Sequence, residues 1–180
     1  MTKIINLFGG PGTGKSSTGA LLFHTFKQNN INCELVGEVA KDLVWQSRLE
    51  ELGSQFTVVG KQTWRINSLL GKVSYIITDS PIIMSTVYIS PERPLLKQAI
   101  IEEFNSLQPP HENINIFLTR SKPYNPLGRL QTEQEAVQKD KEIRDLLDHT
   151  STPYLTSPTD ETSIKELAIR LLNSEKEPFV

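Results

Sequence analysis

Cysteine occurs once in the 180 residues, at Cys33, which excludes an intramolecular disulfide and any metal site built from clustered cysteines. The three histidines, His24, His111 and His149, lie in unrelated contexts and form no metal or catalytic cluster. No Ser-His-Asp arrangement is legible, and no guanine-type N-K-x-D motif occurs. No apolar run approaches the length of a membrane span, so no membrane partner is expected. A dominant charge sign is lacking too. The net charge of −2 supplies no global drive toward nucleic acid, although it leaves room for a local basic patch. No repeat, low-complexity tract or interdomain linker interrupts the chain, and nothing at its start resembles a signal peptide. The expectation is a cytoplasmic protein. Apolar residues at 37% and charged residues at 22% are ordinary for a soluble protein, and the length fits one domain, 1–180, with a sizeable core.

What the chain does have is concentrated near its start. Gly9-Gly10-Pro11-Gly12-Thr13-Gly14-Lys15-Ser16 reads G-x-x-x-x-G-K-S, with Ser17 following. An apolar run of strand length, Lys3 to Phe8, precedes it, and Leu21, Leu22, Thr25 and Phe26 recur at helical spacing after it. That order separates a phosphate-binding loop from a glycine-rich turn before an ordinary helix. Residues without a Cβ let loop amides approach an anion closely at the positive end of the helix. Gly10, Gly12, Thr13, Gly14, Lys15, Ser16 and Ser17 are therefore the expected nucleotide-binding residues. Lys15 is expected to reach the β- and γ-phosphates of ATP, and the Ser16 hydroxyl to hold Mg²⁺.

Further along, helices are expected over about 15–28, 39–52, 54–70, 95–107, 132–148 and 163–172, and strands over 33–36, 73–78, 114–118 and 153–156. Phe56, Val59, Trp64, Ile66 and Leu70 favour one broad apolar face, with Trp64 as core. Gln62, Trp64 and Arg65 are also placed to contact an acceptor. Thr132 and Glu135 form a capping-box pattern, and the tail after Ser174 is expected to fray. Alternating strands and helices imply an α/β protein of three layers with a mostly parallel sheet.

In such sheets ligands gather at the carboxyl ends of the strands. Glu38, Asp79 and Arg120 follow strands there, beside the glycine loop. An isolated acid after a strand is commonly a solvated helix cap; the shared edge raises the functional reading. Asp79 is positioned to coordinate Mg²⁺, and Glu38 to accept a proton from an incoming hydroxyl. The segment 120–131 contains Pro123, Pro126 and Gly128 with Arg120, Lys122 and Arg129, and reads as a basic lid over a migrating phosphoryl group. The alternative is surface solubility. Tyr124 is placed either to stack on a base or to pack the loop.

The glycine loop, Glu38-Val39-Ala40-Lys41, Gln62-Thr63-Trp64-Arg65, Ile76-Ile77-Thr78-Asp79-Ser80-Pro81 and the segment ending Pro153-Tyr154 occur in an order that resembles nicotinamide-riboside-kinase-like P-loop proteins. The likeness covers nearly the whole chain. It is nearest to small phage-type members often labelled AAA-like ATPases or nucleoside/nucleotide kinases. The resemblance implies a P-loop NTPase fold of the kinase type with five strands in the order 2-3-1-4-5, a Walker-B-type acid at Asp79 and an acceptor-side acid at Glu38. The acceptor region departs from the riboside kinases, so their substrate does not carry over. Some phage relatives phosphorylate hydroxymethylated bases within DNA, which makes DNA a second acceptor.

The leading expectation is thus a kinase using Mg·ATP on a nucleoside-like small molecule, with Lys15, Glu38, Asp79, Arg120 and Arg129 in catalytic roles. Its rivals are a kinase acting on DNA and an ATPase switch without an acceptor.

Overall fold

The computed structural model describes residues 1–127 and 131–173. Five strands, β1 (Lys3–Phe8), β2 (Cys33–Val36), β3 (Tyr75–Thr78), β4 (Glu112–Thr119) and β5 (Leu155–Pro158), form one sheet in the order β2-β3-β1-β4-β5. Every neighbouring pair is parallel. The helices are α1 (Lys15–Gln28), α2 (Val39–Trp45), α3 (Leu49–Gly53), α4 (Gln55–Asn67), α5 (Pro94–Ser106), α6 (Glu133–His149) and α7 (Glu161–Asn173), with a 3-10 helix over Ile82–Tyr88.

Parallel strands need crossovers, and the crossovers cover both faces of the sheet, which is why apolar side chains of β1, β3 and β4 are buried on both faces. Ile4, Phe8, Ile76 and Phe117 point to one face. There they meet Ile66 of α4, Phe104 of α5, Ile143 and Leu147 of α6, and the 3-10 helix. Ile5, Leu7, Ile77, Ile116 and Leu118 point to the other, against Leu22 and Phe26 of α1 and Leu167 and Leu171 of α7. Alternation along each strand thus produces three layers. Cys33 is buried on β2. Among the described residues no helix is long and apolar enough to cross a membrane.

The order of strands turns back at β1. Its partner on one side is β3 and on the other β4, so a crevice opens beyond its carboxyl end. The glycine loop lies there.

Several expected elements change shape. The helix expected over 39–52 breaks into α2 and α3 because Ser47 adopts φ 57, with its amide closing on Val44 O. The third strand begins at Tyr75 rather than Val73, β4 extends from Glu112 to Thr119, and β5 lies two residues beyond the expected 153–156. The helix expected over 54–70 ends at Asn67, and it turns a different face inward. Val58, Gln62 and Ile66 are buried, whereas Phe56 is 65% and Trp64 72% exposed. Trp64 is therefore not core. The buried stripe follows i, i+4, i+8 spacing through Gln62, whose amide is satisfied by local partners. The capping box at Thr132 and Glu135 is present, while the tail after Ser174 lies outside the described residues.

Candidate functional site

The glycine loop joins β1 to α1 and turns with Gly9 at φ 147, Gly12 at φ 77 and Gly14 at φ 106. Residues with a Cβ rarely adopt these values. Gly14 occupies the position before α1, and no side chain caps that helix. Its leading amides, including those of Ser16 and Ser17, therefore face the loop without a side-chain acceptor from Gly14. Thr13 is buried, and its hydroxyl donates to Gly10 O at 2.5 Å, closing the loop on itself.

Lys15 curls back over the loop: its Nζ donates to Gly9 O at 2.7 Å and Gly10 O at 3.0 Å. Burial lowers its pKa, opposed by the carboxylates of Glu38, Asp79 and Asp140 and reinforced by Arg120. The ammonium therefore sits where four groups from four separate stretches of chain converge.

Asp79 lies one residue past β3 and is 5% exposed. Its Oδ2 accepts a 2.6 Å hydrogen bond from Ser16 Oγ. The second carboxylate oxygen, Oδ1, is buried with no partner. A buried, unmatched anionic oxygen is costly unless a cation or donor meets it. Beside a hydroxyl, that donor set fits Mg²⁺, a hard ion that accepts one or two protein oxygens and takes the rest from phosphates and water. Among the described residues no group of three or more His, Cys, Asp or Glu side chains is arranged to hold a metal alone.

Glu38 stands at the start of α2, past the end of β2, but its side chain makes no capping hydrogen bond. Burial pushes its carboxyl up from its ordinary value; Lys15 opposes the shift and Asp79 adds to it. The helix-cap alternative thus loses its defining contact. Tyr88, at the end of the 3-10 helix, keeps 40% of its surface exposed, and partial desolvation, with Glu38, Glu142 and Asp140 adding, pushes its phenol up to about 12. Lys139 Nζ lies 5.0 Å from the centre of its ring.

Arg120 is brought to the loop, but most of its donors are engaged. Nε pairs with Asp140 Oδ2 at 2.6 Å, and Nη2 donates to Pro11 O at 2.9 Å and Ala136 O at 3.1 Å. Nη1 is buried without a partner. Arg120 therefore fastens β4, the glycine loop and α6 together and offers one remaining nitrogen. Arg129, Gly128 and Leu130 lie outside the described residues. Tyr124 packs its ring against Gly12, where an added Cβ would come within 2.9 Å, and its hydroxyl donates to Gln131 O. These contacts match the loop-packing reading of Tyr124.

Gln62 and Arg65, expected to be placed for an acceptor, brace a neighbouring segment of the chain. Gln62 Oε1 accepts from Val39 N at 3.0 Å, and its Nε2 reaches Gly37 O and Thr78 Oγ1, each at 3.4 Å. Arg65 pairs with Asp42 at 2.8 Å and also donates to Gly37 O. Both side chains hold the segment that carries Glu38.

Sequence reasoning missed Asp140. It sits inside a strongly charged helix, where most acids are solvated, and its partners are remote in sequence. Only its place on the same helical face as buried Ala136 and Ile143 hints that it points inward. Comparison with protein-family models and with curated protein sequences yields no match.

Proposed function

We propose that this chain is a P-loop phosphotransferase that moves the γ-phosphate of Mg·ATP to a hydroxyl of a nucleoside- or nucleotide-like small molecule. The observation that carries the reading is the meeting of Ser16 with Asp79 beside the glycine loop, where one Asp79 oxygen is left buried and unmatched. The parallel sheet of order β2-β3-β1-β4-β5, with the loop at its reversal point, agrees with a P-loop NTPase of the kinase type. Kinship with nicotinamide-riboside-kinase-like proteins is part of the same proposal.

Each side chain then has a task. The loop amides and the open end of α1 bind the phosphate oxygens. Lys15 exchanges its contacts with Gly9 O and Gly10 O for β- and γ-phosphate oxygens and follows the charge that migrates with the phosphoryl group. Ser16 and Asp79 would hold Mg²⁺, which when bound neutralises charge on the phosphates. Glu38 orients the acceptor hydroxyl and takes its proton, a role suited to a half-buried carboxylate whose pKa is raised. Arg120 presents Nη1 to the phosphates while its other nitrogens keep it in place.

Consumption of ATP, measured alone, with a panel of nucleosides and with DNA, tests the reading. Turnover that depends on a nucleoside is expected. Turnover that depends on DNA moves the acceptor to a polynucleotide, and turnover indifferent to both makes the chain an ATPase. Lys15→Ala should lower turnover by roughly 10²-fold or more in a folded protein. Full activity in that variant overturns the assignment of the loop.

A further inference from the structure

The two edges of a single peptide group connect Asp140 to Lys15. The amide of Gly10 donates to Asp140 Oδ1 at 2.6 Å. The carbonyl on the other side of that same peptide, Gly9 O, accepts from Lys15 Nζ at 2.7 Å. Because the peptide is planar, turning its N–H away from Asp140 must also turn its C=O away from Lys15.

We infer that Asp140 is a positioning residue for Lys15, acting through the Gly9–Gly10 peptide. Asp140 is well placed for the task. Its Oδ2 is fixed by Arg120 Nε at 2.6 Å, and Arg120 is itself held by Pro11 O and Ala136 O. Thr13 Oγ1 lies 3.3 Å from the same Oδ1, but its proton goes to Gly10 O at 2.5 Å, so the Gly10 amide is the carboxylate's hold on the loop. The approach is close enough that a Cβ on Gly10 would lie 2.5 Å from Ala136 O. A hydrogen bond to a charged acceptor also polarises the peptide and strengthens the carbonyl as an acceptor for the ammonium. Helix α6 thereby sets the direction of the lysine without touching it.

The inference depends on the proposed function only for its effect on nucleotide binding, so its test has two arms. The first uses nucleotide-free protein with ¹⁵N-labelled lysine. The Lys15 ammonium, surrounded by the carboxylates of Glu38, Asp79 and Asp140 and the guanidinium of Arg120, should exchange its protons slowly. In Asp140→Asn that exchange should quicken by about tenfold, and the Gly10 amide proton should move upfield. An ammonium as protected in the variant as in the parent overturns the inference.

The second arm is a double-mutant cycle on Mg·ATP affinity. Asp140→Asn should weaken binding by about tenfold in the parent and by less than about twofold in a Lys15→Ala background. Additive losses mean that Asp140 only holds α6 against the loop, and the inference falls. If the parent binds no Mg·ATP, the proposed function fails and the ammonium exchange alone decides the positioning. Should Asp140→Asn not fold, Asp140→Glu, which keeps the charge and displaces the carboxylate, replaces it. The Gly10 amide shift and the Lys15 ammonium exchange must then change together, and a displaced Gly10 amide with an unaltered ammonium overturns the inference.

Discussion

Ser16 Oγ donates to Asp79 Oδ2 across 2.6 Å, joining the first turn of α1 to the end of β3. These residues are 63 positions apart in the chain, and the pairing of β1 with β3 brings them together. Asn6 of β1 lies opposite Thr78, the last residue of β3, so Asp79 leaves β3 beside the last two residues of β1, Leu7 and Phe8, which lead into the loop.

Asp79→Asn tests that relationship. The amide oxygen of Asn can still accept from Ser16, so the fold should persist. The negative charge is lost from a site that suits a hard cation. The Mg²⁺ concentration needed for half-maximal ATP turnover should rise by roughly tenfold or more, with partial recovery at high Mg²⁺. A Mg²⁺ titration that overlays the parent's would leave Asp79 a structural acid.

Two glycines should respond oppositely to the same substitution. Gly10→Ala forces a Cβ to within 2.5 Å of Ala136 O and 2.8 Å of Asp140 Oδ1, and the nearer of these is backbone that cannot swing aside. A loss of about 1–3 kcal/mol is expected, as for overpacking elsewhere. Gly60→Ala places a methyl group in open space within α4, where nothing lies within 4 Å. It should stabilise by about 0.5–1 kcal/mol, because alanine loses less backbone freedom in a helix. Urea denaturation of both variants makes the comparison.

The architecture was largely legible because its signals are local. A glycine loop between an apolar run and a helical pattern needs only some two dozen residues to declare itself, and Thr132 with Glu135 is a four-residue signal. Placement of Glu38 and Asp79 on one edge followed from the general geometry of parallel sheets. The network around Asp140 was not legible. Its partner Gly10 is 130 residues away, and only a shared face with Ala136 and Ile143 sets this acid apart from the solvated ones of a charged helix. Trp64 illustrates a different failure. Apolar side chains in α4 fall on two competing faces, and the decision went to the face where the polar Gln62 finds partners at both ends of its amide.

That decision is measurable. Gln62→Leu keeps the volume nearly constant but leaves Val39 N and Gly37 O without Gln62, and should cost about 1–3 kcal/mol. Trp64→Ala removes a larger side chain from an exposed position and should change stability by no more than about 0.5 kcal/mol. Thermal melting that reverses this order would restore Trp64 to the core.

Glu38 provides the sharpest separation between phosphoryl transfer and a structural acid, because the two roles move stability and activity in different directions. Burial raises its carboxyl above the ordinary 4.5, with Lys15 opposing and Asp79 adding. A carboxyl whose folded pKa is raised binds its proton more tightly in the folded chain than in the unfolded one. The fold therefore loses stability as pH climbs through the ordinary value, and the penalty is complete once pH exceeds the raised value. Glu38→Gln removes the titration, so the variant should melt higher than the parent at neutral pH. That advantage should vanish below the ordinary carboxyl range. Catalysis should respond the other way. Transfer to the acceptor needs the ionised form, so parent turnover should rise with pH along an acid limb whose midpoint lies above 4.5. In Glu38→Gln that limb should disappear, with turnover reduced by roughly 10²- to 10⁴-fold. The lower end of that range is expected, since a loose phosphoryl-transfer transition state demands little early deprotonation. Nucleotide affinity should stay nearly constant, because Glu38 flanks the loop from the end of β2 without capping or bonding it. A helix-start carboxylate would instead lower stability by about 0.3–1 kcal/mol on removal and leave turnover intact. Melting curves and acceptor-dependent rates across pH on this one variant decide between them. A less stable protein with unchanged turnover would remove the acceptor-side base from the proposed reaction.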